Sequence, residues 1–335
     1  MKKSFWVVTV IMLALISLIG IQNASAGDKI QMGLYSIAPP FSPINKAMEM
    51  MDTFLQEEGK GAIEVQLYPS GQLGAESAGL NKLQIGAVQA GAITGVAIST
   101  IEPKANILMM PFVIKNWEDV EKLANSEMMK EIGLSLEKKG LKLMGIGSYG
   151  FFNILSVKKP LVKPEDFPGV KIRVFPTPVL VDLYKMLGAS PTPIAFPEIY
   201  TALQQGVIEA TDGTLDSSHA SKQYEVAKHL TKTEHIHGWF LYLVNKAWFE
   251  GLSADNQKLL QDAFAKYSAV ARTESKNYDD KIFKIYEDAG VEIITLEEDQ
   301  RNALKEIALP IHDKYRSVIG EDFLDRFYKE MNFEK

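Results

Sequence analysis

From Ser253 to Ala289 the chain contains neither proline nor glycine, and apolar residues recur there at helical spacing (Leu259, Leu260, Phe264, Tyr267, Val270, Ala271). At about 1.5 Å of rise per residue this predicts one helix roughly 50 Å long. Such a helix is longer than a single ordinary domain, so it has to run along two lobes. The length of 335 residues accommodates two lobes of normal size.

The rest of the chain carries an α/β rhythm that starts twice. Lys29 to Tyr35 alternates apolar and polar residues as a strand does, Asn45 to Glu57 is amphipathic at helical spacing, and Ala62 to Tyr68 is a second strand. A helix from Glu76 to Ile85 and an apolar strand from Ala90 to Thr94 complete the first unit. The rhythm resumes with strands at Leu141–Ile146, Asn153–Val157 and Lys171–Phe175, and a helix opened by Thr177-Pro178. A strand at Ser190–Ile194, a helix from Pro197 to Gln205 and a strand at Val207–Thr211 close the second unit. The expected fold class is α/β: two lobes of mixed sheet with helices on both faces, and a long helix spanning them.

Residues 1–26 have the form of a secretory signal peptide: Lys2 and Lys3, an uncharged run from Phe5 to Ile21, then Ala24-Ser25-Ala26 before the expected cut. They are set apart from the fold, and the mature protein is expected outside the cytoplasm, in the periplasm. Loss of the two lysines takes the formal charge from −6 to −8, which argues against a nucleic-acid partner. There is no cysteine, which excludes disulfides, thiol chemistry and Cys-ligated metals.

Few residues carry recognisable chemistry. Gly145-Ile-Gly147-Ser-Tyr-Gly150 fits the dinucleotide spacing, but Phe151 to Leu155 after it reads as strand, where that fingerprint needs a helix. These glycines are expected to mark a crossing between lobes. His235 and His237 would share one face of a strand, without the further ligands that a metal site requires. No nucleophile elbow, phosphate loop or zinc-helix motif is present, so neither an enzyme nor a cofactor is expected. Arg173 stands out as the only arginine before Arg272, at the carboxyl end of an apolar strand. That is where open α/β sheets bind ligands, and a guanidinium grips a carboxylate by two parallel hydrogen bonds. Aromatics gather in the same stretches (Tyr149, Phe151, Phe152, Phe175, Phe196, Trp239, Phe240), which suits a ligand with an apolar or planar body.

The order of several motifs resembles the DctP-type solute receptors of tripartite ATP-independent periplasmic (TRAP) transporters. They are Tyr68-Pro-Ser-Gly-Gln-Leu-Gly74, Met110-Pro-Phe112, Pro164-Glu-Asp-Phe-Pro-Gly169 and Lys171-Ile-Arg-Val174. Leu187 to Ile194, Phe196 to Gln204, Gly206-Val-Ile-Glu209, Tyr224-Glu-Val226 and Val244 to Trp248 continue the likeness over nearly all of the mature chain. The resemblance implies a two-lobed periplasmic-binding-protein-like fold, closure around a small organic acid, and docking to membrane subunits of a TRAP transporter. It places Arg173 on the ligand carboxylate, Phe196 against the ligand, and Tyr35, Ser36, Glu76, Thr94 and Pro176 along the cleft.

Two departures bear on the ligand. Where many members carry a second arginine, Phe152 or Asn153 stands here; the family's Q-E-N-P segment reads Thr211-Asp212-Gly213-Thr214, with glycine for asparagine. Both changes favour an aromatic or branched monocarboxylate, packed on Phe152, Phe196, Phe175 and Trp239, over a dicarboxylate. The alternatives are a C4-type dicarboxylate, a hydroxy- or keto-acid bridged by a cation at Asp212, and a sensory receptor. The lobes are expected to comprise residues 27–148 with 237–275, and 149–236 with 276–335, with hinges near Gly147–Gly150 and His235–Gly238.

Overall fold

A computed structural model describes residues 29–335; the predicted signal peptide lies outside the described residues. The first unit runs β1 (Ile30–Ser36), α1 (Pro43–Glu58), β2 (Ile63–Tyr68), α2 (Glu76–Gln84) and β3 (Ala90–Thr94), with β1 pairing in parallel with both β2 and β3. Short α3 (Gly95–Ser99), α4 (Trp117–Ala124) and α5 (Glu127–Glu137) lead to β4 (Leu141–Ser156). The second unit runs β5 (Lys171–Val174), α6 (Pro178–Met186), β6 (Ser190–Pro193), α7 (Ile199–Gln204) and β7 (Ala210–Thr214), with β5 parallel to β6 and β7. Then come α8 (Leu215–Ala220), β8 (His229–Lys232), β9 (His237–Asn245), α9 (Lys246–Glu250) and α10 (Ala254–Asp288). β10 (Glu292–Thr295), α11 (Glu298–Ile319) and α12 (Glu321–Glu330) complete the chain.

The helix starts are written in the sequence. Ser42 precedes Pro43 and its hydroxyl accepts the Asn45 amide, while Ser253 accepts the Asn256 amide at the start of α10. α10 runs unbroken for 35 residues, as the absence of proline and glycine predicts. β4 departs from expectation. Two separate strands were anticipated, and the structure joins them into one of 16 residues. The strand expected at Val207–Thr211 begins three residues later, because Val207 is exposed in the turn after Gly206.

β4 and β9 tie the sheets together. Over Leu141–Phe151, β4 lies antiparallel to β9, which pairs in turn with β3. Over Phe152–Ser156 it lies antiparallel to β7 and β8. The strand therefore leaves one sheet and enters the other between Phe151 and Phe152, next to an irregularity at Ser148/Gly150.

The glycines beside this crossing have a steric cause. A Cβ on Gly145 would sit 2.6 Å from Ser268 Oγ and 3.0 Å from the Phe264 carbonyl, both on α10. A Cβ on Gly147 would meet Ile44 and Tyr242 at 3.0 Å, and Gly150 has φ +92°, a region that side chains disfavour. With the helix this close, its polar groups reach the strand backbone. Arg272, 6% exposed, donates to the Ile146 carbonyl and pairs with Glu121 at 2.8 Å, and Ser275 donates to the Ser148 carbonyl. The dinucleotide spacing at Gly145–Gly150 is thus a bed for a helix.

Gly145→Ala is expected to lower stability by about 1–3 kcal/mol through overpacking. A lower urea midpoint, partly restored by adding Ser268→Gly, is the expected outcome; an unchanged midpoint contradicts this account.

Candidate functional site

The carboxyl ends of strands from both units open on a narrow cleft. Ile37, Ala38 and Pro39 line it from the loop after β1, Thr94 from the end of β3, and Phe175 from just beyond β5. Phe196 follows β6, Asp216 and Ser217 lie in α8 after β7, and Tyr149 and Phe240 face in from β4 and β9. Open α/β sheets place their ligand crevices at such ends. Four of the residues lining its wall are aromatic, and Tyr149 lies 4.8 Å from Phe240 and 6.0 Å from buried Phe152, whose ring is 5.5 Å from Phe175.

Arg173 sits behind this wall, 2% exposed, with its guanidinium stacked 4.2 Å from the centre of Phe175. Nε donates to the Ile194 carbonyl at 3.0 Å and Nη1 to the Asp212 carbonyl at 3.2 Å. Nη2 has no partner among the described residues. Burial lowers the guanidinium pKa to about 10, partly offset by Asp212, so it keeps its charge at neutral pH. A buried cation with an uncommitted N–H edge is a ready anion site.

Of the other residues expected from sequence, Thr94, Phe175 and Phe196 line the cleft. Glu76 accepts from the Thr94 amide at 2.7 Å and the Thr94 hydroxyl at 2.8 Å, so it stands one residue behind. Tyr35 donates to the Gly74 carbonyl, its ring filling the space a side chain on Gly79 would need, and Ser36 accepts the Ala38 amide. Phe152 is fully buried behind Tyr149 and Phe175, and Asn153 is spent on the Phe151 carbonyl and the Glu234 amide. Pro176 is exposed, and Gly213 leaves open space bounded by Ser217. Trp239 is buried against His237 at 4.3 Å, away from the cleft lining. The Asp212 carboxylate is fully buried with one oxygen 3.5 Å from His235 Nε2 and does not line the cleft.

Asp216 and Ser217 were not anticipated. The available signal was Thr214 as the cap of a helix that starts straight after a strand, its hydroxyl accepting the Ser217 amide, which puts Asp216 in a first turn at the crevice. Asp216 is 5% exposed and receives no hydrogen bond among the described residues. Burial raises its carboxyl pKa to about 7. Glu76 also rises to about 7 through burial, against the pull of the two Thr94 bonds. Tyr149 is raised by burial and then by Glu76, while Arg173 acts the other way. His237 falls to about 3 from burial and from Arg272, and Ser148 Oγ lies 3.0 Å from its Nε2. Among the described residues no group of three or more metal-ligating side chains comes together.

Residues 35–317 match the family model described as bacterial extracellular solute-binding protein, family 7. A C4-dicarboxylate-binding periplasmic protein of Rhodobacter capsulatus is 31% identical over 291 residues, covering 85% of this chain and 86% of that protein. A 2,3-diketo-L-gulonate-binding periplasmic protein of Escherichia coli is 29% identical, covering 74% and 76%. The crystal structure of a sugar-acid-binding protein of Advenella mimigardefordensis with galactonate superposes with a TM-score of 0.87, at 24% identity, over 91% of this chain and 98% of that one.

The raised carboxyl of Asp216 has a measurable signature. Between about pH 4 and pH 7 the folded chain holds this proton where the unfolded chain releases it, so the side chain costs more stability as pH rises through that window. Asp216→Asn is expected to melt above the wild type at pH 8, the difference shrinking as pH falls and closing by about pH 4. A difference independent of pH contradicts the assignment.

Proposed function

The chain belongs to family 7 of the bacterial extracellular solute-binding proteins, the DctP-type receptors of TRAP transporters, and from that premise we propose that it captures a small monocarboxylate through Arg173. The observation that carries this reading is the buried guanidinium with a free N–H edge behind the aromatic wall. A charge taken out of water needs a partner, and a ligand carboxylate supplies one with two parallel hydrogen bonds.

The position held by a second arginine in many relatives is occupied here by Phe152 or Asn153, the first packed in the wall and the second tied to backbone. Among the described residues no lysine or arginine lines the cleft itself, which leaves Arg173 behind the wall as the one cation for a ligand to reach. One carboxylate therefore finds a cation and a second would be buried unpaired, which favours a ligand with an apolar body. The protein acts outside the cytoplasmic membrane after removal of residues 1–26. Its lobes, residues 27–148 with 237–275 and 149–236 with 276–335, close on the ligand with α10 flexing between them. The ligand stabilises the closed form by binding it more tightly than the open one. That form then docks to the transporter's membrane subunits. Nothing in the cleft pairs a nucleophile with a base, and the role is capture without turnover.

A thermal-shift screen of the mature protein against small acids, sugars and amino acids finds the ligand, since one at a hundred times its Kd adds about 2.7 kcal/mol to stability. Hits among monocarboxylates with apolar bodies are expected. With the best hit, Arg173→Lys keeps the charge and loses the fork, and calorimetry should show a loss of about tenfold or more. Unchanged affinity removes Arg173 from the site; a preference for dicarboxylates overturns the monocarboxylate assignment while keeping the receptor.

A further inference from the structure

The polar groups of the cleft lining are unequally committed. Thr94 Oγ1 donates to Glu76 and accepts from the Ala97 amide. Ser217 Oγ donates to the Thr214 carbonyl and accepts from the Thr214 hydroxyl. Asp216 is the exception: its carboxyl is nineteen-twentieths buried, faces the cleft and takes no hydrogen bond from the described residues. The same cleft is lined by the rings of Tyr149, Phe175, Phe196 and Phe240. Charges near Tyr149 are Arg173 on one side and Glu76, Asp212 and Asp216 on the other, with Asp279 of α10 close enough to Asp216 to feel its charge. Once ionised, these acids favour a ligand that brings a positive charge along with its carboxylate.

Resting on the carboxylate reading above, we infer that the ligand also carries a positively charged nitrogen, held by Asp216 and the aromatic faces of Tyr149, Phe196 and Phe240. The ligand class is an ammonium acid whose nitrogen bears methyl groups or a ring. Ring faces are negative and attract a cation that has shed its water, by about 2 kcal/mol or more when desolvated. Asp216 supplies the counter-charge, and the nitrogen gives this otherwise unpaired carboxyl the partner that burial demands. Methyl groups suit the place better than hydroxyls. A polyhydroxylated acid needs several free donors and acceptors, and among the described side chains lining the cleft these come down to the Tyr149 hydroxyl, buried without a partner, and the Asp216 carboxyl.

The test uses acids matched in shape and differing in charge. Trimethylglycine is paired with 3,3-dimethylbutanoate, and 4-(trimethylammonio)butanoate with 5,5-dimethylhexanoate, each titrated calorimetrically into the mature wild type and into Asp216→Asn. In at least one pair the ammonium acid is expected to bind the wild type at least tenfold more tightly than its carbon analogue. Asp216→Asn should erase that preference by weakening the ammonium acid at least tenfold, and a cooperative melt at or above that of the wild type at pH 8 shows that the variant is folded. Equal binding within both pairs, a preference for the carbon analogues, failure of both ammonium acids to bind, or a preference that survives in Asp216→Asn overturns the inference. The receptor reading fails separately, when no carboxylate in the wider acid screen binds at all.

Discussion

Where β4 leaves one sheet for the other, α10 covers its backbone directly, with no side chains at Gly145, Gly147 and Gly150 to hold the helix off. Two carbonyls at this crossing, Ile146 and Ser148, receive Arg272 and Ser275 from the helix. Buried backbone groups left without partners would each cost a lost hydrogen bond or more. The strand can therefore cross only where the helix lies. Its next residues, Tyr149 and Phe152, then stand at the back of the cleft, between the strand ends of the two units. A contact far from any ligand chemistry thus fixes where that chemistry takes place.

The cleft itself is governed by charge in a place with little water. Arg173 is held by carbonyls rather than by a carboxylate, so its positive charge is oriented and left to pair with something else. Asp212 moderates that charge from close by, yet its carboxylate turns to His235. Asp216 lines the same cleft with no such counterweight, and burial alone raises its carboxyl. An apolar enclosure makes each of these charges costly alone and strongly selective once matched. The cleft thus combines a few costly charges with rings that set its shape.

Much of the fold was legible in the sequence because it depends on local signals. The long helix followed from an absence of proline and glycine, α1 from amphipathic spacing over Asn45–Glu57, and α6 from Thr177-Pro178, although the Thr177 hydroxyl makes no cap bond. The crossing in β4 was legible as a place but not as a form. The three glycines read as a crossing between lobes, whereas their smallness serves a helix that arrives more than a hundred residues later. Arg173 was visible through its rarity and its strand end. Asp212 drew attention because it stands in a recognisable motif, yet the cleft acid is Asp216, which belongs to no motif and is set by a helix turn that only the folded chain displays. Trp239 looked like a cleft aromatic, but the side chains of β9 are buried along its whole length, and this ring packs on His237.

The central claim is that Arg173 holds the carboxylate of a captured acid. A crystal structure of the mature protein with its tightest-binding acid tests this most directly. The account predicts a carboxylate on the Nη1–Nη2 edge of Arg173, the carbonyls of Ile194 and Asp212 still engaged, and the ligand body against Phe196. A ligand whose carboxylate lies elsewhere, with that edge of Arg173 left to protein groups or water, would contradict it.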